Sequence, residues 1–178
     1  MELLPLTMYK TGGMGNVIDY RYGVEMGDAV RGRIDRVRYD FCRTQAELID
    51  ERFFVPYSEW CRSLGVLSRV QAYGRGVHPL GSSLHCDIPE GESWTTNWLK
   101  HRLGEEMGNE DYRRGRGYTM INKYMSSGGH LAGRRTISAE DMTNTYLVFT
   151  ATLEFLKLGS DHSVFSGITH SVFHGFNY

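Results

Sequence analysis

Cysteine and proline are scarce in this chain of 178 residues, with three of the first and four of the second. Three thiols (Cys42, Cys61 and Cys86) without a CxxC pair argue against a disulfide framework and against a thiolate zinc site. They read as reduced, partly buried thiols. Neither sign of charge prevails: 20 Lys+Arg face 21 Asp+Glu, for a net charge of -1. Composition therefore points to neither nucleic acid nor a charged membrane surface as partner. No run approaches the roughly 20 apolar residues of a membrane-spanning helix. Met1 to Lys10 lacks a basic stretch followed by an apolar one, so no signal peptide is expected and the compartment stays open. A GxSxG elbow, a P-loop and a GxGxxG placed after a strand are all missing, and Gly12-Gly13-Met14-Gly15 lacks the strand and helix such a loop requires.

What is present is a soluble globular composition, 40% hydrophobic and 23% charged, enough for a single domain with a real core. Glycine (21 residues) and aromatics (12%, with Trp60, Trp94 and Trp98) are abundant, as suits a turn-rich protein with a cleft. Residues 1–35 form a poorly defined lead-in. Arg36 to Asp40 alternates like a short strand ending in a carboxylate. Arg43 to Leu64 carries Ala46, Ile49, Phe53, Tyr57, Trp60 and Leu64 at spacings of three and four, an apolar helical stripe expected to pack in the core. Pro56 should kink or divide that helix, and Gly65 should cap it.

Further along, Val66 to Ala72 and Ser83 to Asp87 read as short strands, with an acidic turn at Asp87-Ile88-Pro89-Glu90-Gly91-Glu92. Trp94 to Met107 and Tyr118 to Leu131 have helical spacing, separated by a charged, glycine-broken loop. Thr136 to Ala139 is a strand finishing at Glu140-Asp141. Thr152 to Leu158 is a helix stopped by Gly159, Gly167 ends a further turn, and Ile168 to Phe173 is a strand finishing at His174. Alternation of strand and helix predicts an α/β fold of parallel βαβ units in one domain.

Each expected strand ends in a polar group: Asp40, Gln71, Asp87 with Glu90 and Glu92, Glu140 with Asp141, and His174. In parallel α/β folds the loops after the strands gather at one end, where ligands bind. Two converging carboxyls are the minimum machinery for glycoside hydrolysis. Glu140-Asp141 could equally cap a helix. Three acids in six residues at Asp87–Glu92 repel one another unless a cation or a substrate joins them. His85-x-Asp87, with Glu90 nearby and His130 or His174 elsewhere, offers a mixed nitrogen and oxygen set for a zinc-type hydrolase.

Arg69-Val70-Gln71-Ala72-Tyr73-Gly74 followed by Asp87-Ile88-Pro89-Glu90-Gly91-Glu92 resembles the signature of the α-L-rhamnosidase-type glycoside hydrolases, family 106. Tyr39-Asp40-Phe41, Gly129-His130-Leu131-Ala132-Gly133 leading to Ile137-Ser138-Ala139-Glu140, and Gly167-Ile168-Thr169-His170 leading to Phe173-His174-Gly175 extend the resemblance over about residues 35–178.

The resemblance implies part of a (β/α)8 TIM-type barrel and inverting, carboxylate-assisted hydrolysis of terminal α-L-rhamnosides, with a calcium ion at the sugar site. Carried onto this chain, it implies Glu90 (or Glu92) and Glu140 as the catalytic carboxylates. Gln71, Tyr73, Asp87, Trp94, His130 and His174 would bind the sugar. The family's acid-bearing motif has no counterpart between Met1 and Arg36, and Thr169 stands where the family has Asn. A full barrel takes about 250 residues, so the expectation is a partial barrel that joins a second copy or the remainder of a barrel. The other reading is a non-catalytic carbohydrate-binding relic.

Overall fold

A computed structural model describes residues 27–74, 76–94, 116–143 and 153–173. Helix α1 runs from Asp28 to Ile49, a π-helical turn spans Asp50–Phe54, and α2 covers Val55–Ser63. Then follow β1 (Arg69–Val70), the single-turn α3 (Pro79–Ser83), β2 (Ile88–Trp94), α4 (Arg116–Leu131), β3 (Ser138–Thr143), α5 (Leu153–Phe165) and β4 (His170–Phe173). The expected helix at Trp94 to Met107 and the loop before α4 lie, beyond Trp94, outside the described residues.

The strand expected at Arg36–Asp40 is helix instead. Four alternating residues satisfy either periodicity. Helix wins because it propagates from a nucleus on both sides, helped by side-chain pairs at helical spacing, Asp35 with Arg38 (3.1 Å) and Arg43 with Glu47 (2.7 Å). Asp40 is consequently an exposed helix residue and not the end of a strand.

The division expected at Pro56 falls at the π-turn just before it. Proline lacks an N–H and its ring crowds the carbonyl four residues back, and a wider turn relieves both. The extra residue also rotates the helix face. Ile49 and Phe54, five apart, both meet the core, followed by buried Ser58 and Cys61. The stripe predicted to be core therefore turns outward: Phe53, Trp60 and Leu64 are 52%, 59% and 59% exposed. Gly65 does cap α2, with φ of 73°.

The four strands among the described residues are all parallel, in the order β1-β2-β3-β4. Glu90, Gly91 and Glu92 pair with Ser138, Ala139 and Glu140, which in turn pair with His170, Ser171 and Val172. Sequential parallel strands joined by helices are the repeating unit of a (β/α) barrel. The acidic segment expected as a turn is thus β2 itself. Its alternation of Glu with Gly and Ser fits a pleat whose one face is polar, and pairing on both sides overrides the poor strand propensity of Glu.

Small residues on the other face (Gly91, Ala139) let the helices approach. A Cβ on Gly91 would lie 2.0 Å from Asn122 Oδ1 of α4. Phe54, Ala72, Cys86, Met125, Ile137, Ala139 and Ile168 form the core on that side. Gly159 does not stop α5. The helix runs through it, and a Cβ there would lie 2.7 Å from Met142 Sδ, so glycine serves close packing against β3.

Candidate active site

Residues two apart on a strand share a face, and register partners on parallel strands do too. Glu90 and Glu92 of β2 and Ser138 and Glu140 of β3 therefore stand on one face, opposite the helices. Arg69 at the start of β1 and Gln71 and Tyr73 just after it reach the same cluster. Arg69 Nε lies 3.3 Å from Glu90 Oε2, Gln71 Nε2 donates to Glu140 Oε2 at 2.6 Å, and the Tyr73 hydroxyl donates to Glu92 Oε2 at 2.6 Å.

The cluster has two levels. Glu90, 7% exposed, accepts from Ser138 Oγ at 2.7 Å and pairs with Arg69, both through Oε2. One pleat nearer the strand ends, Glu92 and Glu140 are register partners and remain half-buried. Burial above all, then the hydrogen bond to Glu92 and the charges of Glu92, Glu140 and Glu90, push the Tyr73 phenol well above its ordinary value. Tyr73 therefore keeps its proton and serves as a fixed hydrogen-bond donor to Glu92.

The structure separates the other expected site residues from this cluster. Asp87 precedes β2, at the opposite end of the sheet. There it accepts from the Ser68 N–H (3.1 Å) and Oγ (2.9 Å) and pairs with Arg134 (3.3 Å) and Arg62 (3.5 Å). Desolvation alone would raise its carboxyl, but the Ser68 hydrogen bonds and the two guanidinium groups outweigh it and hold the group below its ordinary value. His130 is exposed in the last turn of α4, which leads back to the start of β3, again at the far end. His85 lies 3.9 Å from Asp50. The zinc-type set of His85, Asp87 and His130 is thus not assembled: among the described residues no group of three or more His, Cys, Asp and Glu could hold a metal ion. The Trp94 side chain and His174 lie outside the described residues.

The sequence placed Asp141 beside Glu140 as a strand-end carboxyl or a cap, and a buried role was not expected. It lies inside β3, wholly buried on the helix side. Its Oδ1 accepts from Ser93 Oγ (2.8 Å) and Ser163 Oγ (2.7 Å), and its Oδ2 from Ser171 Oγ. Strand alternation after Glu140 was the available signal. Arg69, too, gave no sign in the sequence that it would face Glu90.

Parallel βαβ units with carboxylates in register on one sheet face define a segment of an acid-bearing α/β barrel. The α-L-rhamnosidase family matches residues 26–177, and the chain belongs to that family. Among solved structures it is similar to the rhamnosidase from Novosphingobium sp. PP1Y, with a TM-score of 0.62 and 22% identity, over 81% of this chain. The match covers 13% of that rhamnosidase chain, and the likeness is one of fold. Comparison with curated proteins finds no match. Among the described residues no helix is long and apolar enough to cross a membrane.

Proposed function

We propose that this carboxylate face is the sugar site for inverting hydrolysis of terminal α-L-rhamnosides, the substrate being a rhamnose-containing glycoside. The observation that carries the reading is the in-register pair Glu92 and Glu140, each engaged by a neutral donor, Tyr73 and Gln71. These hydrogen bonds hold both carboxylates oriented on the face. Glu92 takes a proton from water as the water oxygen bonds to the anomeric carbon. Glu140 beside it stabilises the positive charge that develops on the sugar ring as the glycosidic C–O bond breaks. Glu90, already bonded to Arg69 and Ser138, supports the face from below.

Inversion requires the acid and base carboxyls about 6.5–9.5 Å apart. Neighbouring strands are only about 4.8 Å apart, so Glu92 and Glu140 act from one side of the sugar. The acid that protonates the leaving oxygen belongs across from them. Calcium stays within this proposal as an oxygen-seeking cation, with no step assigned to it.

The test is turnover of an aryl α-L-rhamnoside, with and without calcium. Glu92→Gln should lower kcat by a factor of about 10²–10⁴, and Glu140→Gln should also lower it. A folded protein without turnover, or full activity in Glu92→Gln, would sink the reading. Because the match spans 13% of the solved rhamnosidase, a second reading has support: a sugar-binding segment without turnover. Calorimetric binding of rhamnose in the absence of hydrolysis would identify it.

A further inference from the structure

We propose that Asp141 is the hub of a buried positioning network that fixes the Glu92 and Glu140 backbones from behind the sheet. Resting on the rhamnosidase reading above, it adds residues that touch no substrate. The Glu92 N–H donates to Asn122 Oδ1 at 2.9 Å, and Asn122 Nδ2 reaches Ser163 Oγ at 3.5 Å. Ser163 donates to Asp141 at 2.7 Å, as does Ser93 at 2.8 Å, while the Met142 N–H donates to Ser93 Oγ at 3.1 Å. One polar chain thus runs from the backbone of the first candidate carboxylate to the residue two past the second. It crosses α4, α5, β3 and β2, and Ser171 brings in β4.

Two departures from regular strand geometry lie where this chain acts. The β2–β3 register shifts between Glu92 and Trp94. Met142, with φ of 63°, is the one non-glycine residue of positive φ among the described residues. Left-handed backbone at such a residue costs energy and persists only where its surroundings over-determine it. The Ser93 hydroxyl supplies that constraint, accepting from the Met142 N–H while donating to Asp141. A carboxylate buried among hydroxyls from three other elements also resists sliding of any strand, because a slip would leave it without donors. Glu140, next to Asp141 on the opposite face, takes its orientation from that anchor.

The test uses Ser93→Ala, with Ser93→Thr restoring the hydroxyl. The readouts are kcat and KM for an aryl α-L-rhamnoside and the NMR signal of the Gln71 side-chain amide, which donates to Glu140. Ser93→Ala should move the Gln71 signal toward that of a solvated amide. It should also lower kcat by up to about a hundredfold, the effect of a misplacement near 1 Å, with KM little changed, and Ser93→Thr should recover both. A folded Ser93→Ala protein with an unmoved Gln71 signal would overturn the proposal. If the parent protein shows no turnover, the hydrolase reading fails, while the Gln71 signal still decides the network. Should Ser93→Ala not fold, Ser163→Ala carries the same readouts.

Discussion

Tyr73 and Asp87 are both polar residues of the family-like motifs, and their surroundings give them opposite titration behaviour. Tyr73 is held protonated, so the folded state loses stability as pH climbs past the ordinary tyrosine value of 10.0. In ultraviolet titration the Tyr73 phenol should fail to ionise with the exposed tyrosines, and Tyr73→Phe should lower the number of late-titrating phenols by one. Asp87 is held ionised, so its contribution is present above about pH 4 and is lost as pH falls through its lowered value. Asp87→Asn should cost about 2 kcal/mol in urea unfolding at neutral pH and flatten the decline on the acid side. The same acidic motif thus divides by position: Asp87 ties the base of the sheet, while Glu90 and Glu92 face the site. Sequence showed the three acids together. Their separation became visible only once Pro89 proved to be a strand residue.

At the level of elements, much of the order was legible. The helix before β3, the strands after it and the Gly65 cap follow from spacing and punctuation that local sequence carries. The misreadings at Arg36–Asp40 and Gly159 share a cause: four alternating residues or one glycine are weak signals against a helix already propagating. The outward turn of Phe53 and Trp60 has another cause, since one extra residue in the π-turn shifts every later position around the axis. Close packing gives Gly91 and Gly159 opposite tolerance to a side chain. Gly91→Ala would press a methyl group onto Asn122 and disrupt its bond to the Glu92 N–H, costing about 1–3 kcal/mol. Gly159→Ala meets only the flexible Met142 thioether and gains helix propensity of about 1 kcal/mol, so its thermal midpoint should stay close to that of the parent.

Across the molecule, the described sheet pairs β1 and β4 on one side only, and Phe53, Trp60, Leu64 and Leu67 are exposed on and just after the helical arm. Open edges and apolar faces of this kind favour association. Light scattering should show species larger than the 20.3 kDa chain, and a clean monomer with cooperative unfolding would contradict this. The core on the helix side supplies its own probe. Cys86 is wholly buried in it, and burial first, then the charges of Asp87 and Asp50, push its thiol up to about 12. Alkylating reagents require an exposed thiolate, so half-exposed Cys42 on α1 should react early and Cys86 only when the core opens. The delay between those two modifications becomes a clock for how often this part of the barrel comes apart while the protein remains folded on average.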